Sequence, residues 1–182
     1  PQQIFLDTAQ QTLAPLRADG HEVASIHIRR GDMMTHMYDD TGVSPYDVFS
    51  QDNIFDPDTI YGRYLSEAMT HFKDRNVKFL VFAGGKRDAD DSEDIQYIKK
   101  VFDRDGFHIS ETNDPMLDFV TMMSCDHNIT CHQSTFGWWA AFLNPNKDKI
   151  VTSPRDYFFL FDKEANAART ANGHFPADWI VV

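Results

Sequence analysis

Five short apolar runs, rich in β-branched and aromatic residues, recur along the chain at residues 23–28, 77–83, 107–110, 127–131 and 149–152. Runs of this length and type are how strands buried in a parallel sheet read. Helix-period segments separate them, and their ends carry boundary signals. Asp56-Pro57 offers a capping carboxylate ahead of a first-turn proline, and Ile60, Tyr61, Tyr64, Leu65, Ala68, Met69 and Phe72 then recur on one face. Ser92 is placed to cap a helix with Ile95, Ile98, Val101 and Phe102 facing inward, and Gly106 ends it. Asn113-Asp114-Pro115 opens a helix through Met123. Ser134-Thr135 opens another through Leu143, halted by Asn144-Pro145. Strand alternating with helix predicts an α/β fold, a parallel sheet with helices on both faces. Ligands of such sheets lie beyond the carboxyl ends of the strands. Residues 33–51 carry no period and are long for a loop, which marks a functional or mobile element.

Composition narrows the partners. The 182 residues fit one domain. Seventeen Lys and Arg against 28 Asp and Glu give a formal charge of −11, which repels nucleic-acid backbones and anionic lipid. Any phosphate-bearing ligand therefore needs a local cluster of positive groups. Cys125 and Cys131 make no disulfide framework. The longest apolar run, residues 136–143, falls far short of the ~20 residues of a membrane span. The chain begins at Pro1 and runs at once into helix-like sequence, as a processed or truncated piece would.

Two segments concentrate the chemistry. In Ser25-Ile26-His27-Ile28-Arg29-Arg30-Gly31-Asp32 a strand ends in adjacent arginines. The planar guanidinium fork suits phosphate oxygens. Neighbouring strand residues point opposite ways, so one arginine faces a ligand while the other pairs inward with Asp32; a plain Arg–Asp pair closing a turn is the simpler alternative. In His127-Asn128-Ile129-Thr130-Cys131-His132-Gln133-Ser134-Thr135-Phe136-Gly137-Trp138-Trp139 a strand passes through a polar turn into a helix N-terminus, a ready anion site. Ser134 or Thr135 there either caps the helix or donates to phosphate. Trp138 and Trp139 read as core before they read as a stacking platform. Weaker signals are discounted. Cys125, His127, Cys131 and His132 match no zinc spacing. Asp88-Ala89-Asp90 lies among Asp91, Glu93 and Asp94 as an acidic helix start. The Asn128 glycosylation sequon falls in a buried strand. Gly84-Gly85 is too short for a phosphate loop, and no GxSxG elbow is present.

His27-Ile28-Arg29-Arg30-Gly31-Asp32 resembles the first motif of the α1,2-fucosyltransferases, glycosyltransferase family 11, of which α1,6- and protein O-fucosyltransferases carry variants. Further matches keep the family's order: residues 58–69 with Arg63-Tyr64-Leu65, residues 77–83, Asp118-Phe119 leading to Cys125-Asp126-His127, Ser134 through Leu143, and Asn172 through Ile180. The resemblance covers nearly the whole chain. It implies a GT-B-type enzyme of two facing Rossmann-like halves. This chain, residues 1–182, would be the C-terminal GDP-fucose-binding domain with residues 1–20 as lead-in helix, and the N-terminal half with its Gly-x-x-Gly-Asn-Gln signature would be absent. Carried over by position, Arg29 and Arg30 hold the GDP diphosphate, with Arg29 the essential one. His27 lines the nucleotide site, Asp118 reads the guanine edge, Ser134, Thr135 and Phe136 cradle phosphate, and His36 follows the arginine motif.

The activity so implied is inverting transfer of L-fucose from GDP-β-L-fucose to a glycan hydroxyl. Terminal galactose is the expected acceptor and α1,2 the expected linkage. No cofactor is expected: Arg29 and the helix N-terminus at Thr135 and Phe136 stand in for a metal. For the base, the position of the α1,6-enzyme's glutamate falls near Met37, with His36, Asp39 and Asp40 nearby, and the absent half is another source. No nucleic-acid partner is expected, and a membrane only through an N-terminal anchor outside this chain. The compartment follows the source: the lumenal side of the Golgi membrane for a eukaryote, the cytoplasm for a bacterium. Other readings stay open, namely a fucosyltransferase of another linkage, a catalytically idle nucleotide-sugar-binding module, and a structural flavodoxin-like domain.

Overall fold

The computed structural model describes residues 2–31, 44–84, 93–112, 114–157, 164, 167–168, 171 and 173–182. Its elements run α1 (Gln3–Leu13), β1 (Glu22–Arg29), α2 (Pro45–Val48), α3 (Ile60–Thr70), β2 (Val77–Gly84), α4 (Glu93–Val101), β3 (Phe107–Ile109), α5 (Pro115–Met123), β4 (His127–Ile129), α6 (Thr135–Leu143), β5 (Val151–Ser153) and β6 (Ile180–Val181). Among the described residues the six strands form one sheet in the order β3-β2-β1-β4-β5-β6, with every pairing parallel. This is the α/β, Rossmann-like arrangement expected from the alternation of strands and helices. Strand order reverses between β1 and β4, and the crevice outside their carboxyl ends is where such sheets bind ligands. No helix among the described residues is long and apolar enough to cross a membrane.

The period-2 pattern of β1 divides the core. Ala24, Ile26 and Ile28 join Tyr61, Tyr64, Leu65 and Ala68 of α3 and Ile98 and Val101 of α4 in one buried cluster. Val23 faces the other way, with Leu13 of α1, Met122 of α5 and Ala140 of α6. Full burial of each such aliphatic side chain contributes about 1.5–3 kcal/mol, so this partition fixes which face each residue of β1 presents. Val23, Ser25, His27 and Arg29 look towards α1, α5 and α6, and the even-numbered residues towards α3 and α4.

Local signals set most helix ends. Asp114 caps α5, its side chain accepting from the backbone N–H of Met116 at 2.8 Å, and Pro115 occupies the first turn. Gly106, with φ +85°, supplies the left-handed turn before β3. The expected helix start at Asp56-Pro57 is corrected. Thr59 is the cap, its hydroxyl accepting from Gly62 N–H at 3.1 Å. Asp56 instead turns the chain: its side chain accepts from Asp58 N–H at 3.0 Å and its carbonyl from Thr59. Strand ends also shift. β4 stops at Ile129 and β5 runs from Val151, while β6 was not anticipated. Expected helix features at Ser92 and Asn113 lie outside the described residues.

The amino end of the sheet is tied down by polar networks. The Asp126 carboxylate accepts from Val23 N–H at 2.8 Å and from Nε and Nη2 of Arg17, both at 3.0 Å, which anchors the segment after α1. Asn128 is buried. Its amide donates to Ser25 Oγ and to the Met122 carbonyl, each at 2.8 Å, and accepts from Asn144 at 2.8 Å. A side chain so engaged is closed to glycosylation in the folded protein.

Candidate functional site

Arg29 is the last residue of β1, and alternation aims it at the turn between β4 and α6. There its Nη1 donates to the backbone carbonyl of Gln133. Gln133 has φ +53°, in the left-handed region, and its own N–H donates to the Tyr157 carbonyl at 3.1 Å. The turn is therefore pinned from two sides. Ser134 follows at the N-cap of α6. It is 4 % exposed, yet its hydroxyl makes no capping bond. The first N–H groups of a helix have no acceptor within it and carry the positive end of its dipole. Arg29, the Ser134 hydroxyl and this helix end thus bring donors and positive charge to the β1–β4 crevice.

His27 lies beneath that helix end. Its carbonyl accepts from the Tyr61 hydroxyl at 2.8 Å, its Nδ1 is 3.3 Å from Cys131 Sγ, and its ring sits 5.7 Å from that of Phe136. A Cβ at Gly137 would come within 2.5 Å of His27 Nδ1. The glycine is what lets α6 approach so closely. Thr135 and Phe136 are exposed at the mouth. Phe136 also meets Phe119 of α5, 5.3 Å between rings, which sets α5 beside the crevice. One residue before Phe119, the Asp118 carboxylate accepts from Ser110 Oγ at 2.7 Å and is 8 % exposed.

Arg30 turns to the opposite face. It donates to the Asp94 carboxylate at the start of α4, and its guanidinium lies 4.2 Å from the centre of the Tyr97 ring. Burial pushes the Tyr97 hydroxyl up to about 12, and that hydroxyl donates to the Ser50 carbonyl at 2.7 Å. The expected inward pairing of Arg30 is thus met by Asp94, and Asp32 lies outside the described residues. The structure gathers His27, Arg29, Ser134, Thr135 and Phe136 around one helix end. Asp118 sits on the adjoining helix and Arg30 on the other face. His36, Met37, Asp39, Asp40 and the Asp88-Ala89-Asp90 sequence also lie outside the described residues.

The four Cys and His residues weighed as zinc ligands disperse. Cys125 Sγ donates to the Thr121 carbonyl at 3.3 Å, Cys131 meets His27, and His127 Nε2 is 3.4 Å from Glu22. His132 Nε2 donates to Asp156 Oδ1 at 3.0 Å. Burial is the largest single influence and works against the Asp156 carboxylate, but the hydrogen bond and charge of His132, a backbone hydrogen bond and the Arg63 charge together hold its pKa below the ordinary value. Among the described residues no three His, Cys, Asp or Glu side chains converge as a metal centre. Trp138 packs against Trp179 at 5.3 Å between rings, as a core residue should, but Trp139 is 49 % exposed and so leaves the core reading. An exposed stripe of Phe136, Trp139 and Leu143 lies opposite the buried Gly137, Ala140 and Ala141, which explains the split between the two tryptophans.

The chain matches the Glycosyl transferase family 11 profile over residues 4–179. It belongs to glycosyl transferase family 11. It is also 29 % identical over 140 residues to the O-antigen biosynthesis glycosyltransferase WbnK of Escherichia coli, an alignment covering 74 % of this chain and 38 % of that protein. The chain therefore spans well under half the length of this relative. No solved structure matches it. In this family 11 chain, sequence reasoning found the arginine pair and the α6 turn. It missed Gln133, Gly137 and the His132–Asp156 pair. A glycine inside a helix was a legible signal for Gly137; nothing local marked the other three.

Proposed function

We propose that the chain binds GDP-β-L-fucose in the β1–β4 crevice and serves inverting transfer of L-fucose to a galactoside hydroxyl, with α1,2 linkage. The observation that carries this reading is Arg29, held on the Gln133 carbonyl beside the N-terminus of α6. In the transfer, the acceptor oxygen attacks C1 of fucose on the face opposite the diphosphate. The C1–O bond breaks, its electron pair leaves with GDP, and the hydroxyl proton passes to a base. Charge builds on the leaving β-phosphate, and fixed donors aimed there stabilise the transition state by several kcal/mol for each key group. Arg29, the Ser134 hydroxyl and the N–H groups of Thr135 and Phe136 fill that role, so the chemistry is assigned without a metal. Asp118 accepts from guanine's ring N–H and amino group, with Ser110 orienting its carboxylate. His27 sets the floor under the helix end. Arg30 holds α4, supporting the site rather than touching the diphosphate. The base is assigned to His36. Family membership and the name of the Escherichia coli relative support sugar transfer to a glycan.

Titration calorimetry of the chain with GDP, UDP and ADP tests the donor. GDP should bind most tightly, and equal affinities would remove Asp118 as the guanine reader. Turnover is read in the full-length protein with GDP-fucose and a β-galactoside, as a mass gain of one deoxyhexose, and should survive a chelator. GDP binding with no transfer to any galactoside would reduce the reading to a nucleotide-sugar-binding module.

A further inference from the structure

Gln133 combines three features that its neighbours do not share. Its φ of +53° is a conformation that glycine adopts freely and asparagine tolerates, whereas an unbranched glutamine has no local hydrogen bond to favour it. Its carbonyl is the acceptor for Arg29. Its side-chain Nε2 is buried, and no acceptor lies within hydrogen-bond reach of it among the described residues. A buried N–H pair without an acceptor is costly and uncommon, and an instance beside a binding crevice calls for a partner. The neighbouring residue adds an independent sign. Ser134 is more than nine-tenths buried, and its hydroxyl makes no capping bond at the helix end it should cap.

The same residue thus holds Arg29 through its backbone and carries an unanswered donor on its side chain. Arg29 is strongly cationic, so the groups it serves are anionic oxygens, and a neutral amide N–H beside it suits the same oxygens. We infer that Gln133 is a diphosphate-binding residue of this site: its left-handed backbone positions the Arg29 guanidinium, and its side-chain amide donates to a phosphate oxygen of the nucleotide diphosphate. Backbone strain kept at a functional position is consistent with this, since such conformations persist where the surroundings enforce them. Here the Arg29 and Tyr157 hydrogen bonds do so. This inference rests on the nucleotide-sugar reading given above.

The test compares Gln133→Gly, Gln133→Asn and Gln133→Glu in the whole chain, by calorimetry with GDP and with guanosine and by thermal melts. Glycine keeps the left-handed backbone and the carbonyl but removes the amide. Gln133→Gly should weaken GDP by about tenfold, the order of one lost hydrogen bond to a charged group, while guanosine affinity and melting temperature hold or the latter rises. Gln133→Asn tolerates the backbone and retains a shorter amide, so it should recover part of the lost affinity. Gln133→Glu puts a carboxylate against the phosphates and should bind GDP more weakly than Gln133→Gly does. GDP binding by Gln133→Gly at wild-type strength would overturn the inference and leave the nucleotide reading intact. A parallel loss of GDP and guanosine would also overturn it, because that pattern reports a collapsed loop. Absence of GDP binding by the wild-type chain would overturn the nucleotide reading itself, and this inference with it.

Discussion

The two ends of β1 and β4 are built from the same strands and treat their polar groups in opposite ways. At the amino end, Asp126 collects Val23 N–H and two arms of Arg17, and Glu22 takes Nε and Nη2 of Arg75 at 2.8 and 2.6 Å. His127 Nδ1 there accepts Ile150 N–H at 3.0 Å. At the carboxyl end, Gln133 Nε2 and Arg30 Nε are buried without an acceptor among the described residues, and Ser134 leaves its helix uncapped by its side chain. The amino end closes most of its hydrogen bonds internally, with the buried His127 Nε2 left at 3.4 Å from Glu22, and the carboxyl end keeps more donors in hand. The difference teaches that the closed end carries rigidity for the open one. A crevice with unanswered donors costs stability, and it is held both by the Arg29 and Tyr157 hydrogen bonds at the Gln133 turn and by strands fixed at their other end.

The comparison breaks most visibly at Arg29. Arg29→Lys keeps the charge but loses the planar fork. In the full-length protein it should cut turnover by about a hundredfold or more and leave the melting temperature nearly unchanged. A large drop in melting temperature with turnover preserved would move Arg29 to the structural end of the ledger and sink its assignment.

Next in size is the converse substitution. Asp126→Ala removes the acceptor for the buried Val23 N–H and leaves Arg17 only its Ser124 and Gln10 hydrogen bonds, so it should cost about 1–3 kcal/mol by urea unfolding. GDP affinity of the folded chain should be retained. If nucleotide affinity fell while stability did not, the two ends would not be the separate devices described above.

The smallest effect is a pH dependence at the amino end. Burial lowers the His127 pKa from its ordinary 6.5, and the Glu22 carboxylate beside it only partly offsets this. The unfolded chain therefore binds more protons than the folded one below pH 6.5, and stability falls as pH drops from there through the folded-state value. Melting curves at pH 7 and pH 5 should differ less for His127→Gln than for the wild type. An equal difference in both proteins would show that the slope arises from other groups.

That Arg29 and Arg30 face opposite sides of the sheet was legible in the sequence, because neighbouring residues of a strand alternate. The α5 start was legible too, since Asp114-Pro115 is a local signal satisfied by local bonds. What stayed hidden was non-local or unsignalled. The partner of Arg30 is Asp94, a residue 64 positions away, reached only because α4 packs over the end of β1. Asp56-Pro57 misled because the Asp56 carbonyl is needed by Thr59, which moves the cap three residues on. Gln133 gave no sign because glutamine does not announce a left-handed turn as asparagine or glycine would. Gly137 could be seen as a helix glycine, but its reason, the His27 ring, needed the packing. β6 is two residues long and below what an apolar run can declare.

Strand order also sets a timetable for synthesis. Within this sheet β1 comes first in the chain and lies centrally, and the later strands add outward in two directions. Among the described residues, one side ends with β3 at Ile109, whereas the other waits for Ile180 and Val181 to pair with Thr152 and Ser153. Trp179, which packs against Trp138 beside the site, arrives in that same final stretch. Until then the Trp138 flank of α6 lacks the cover that Trp179 provides. Closure of this part of the core is therefore a late event in the assembly of the sheet.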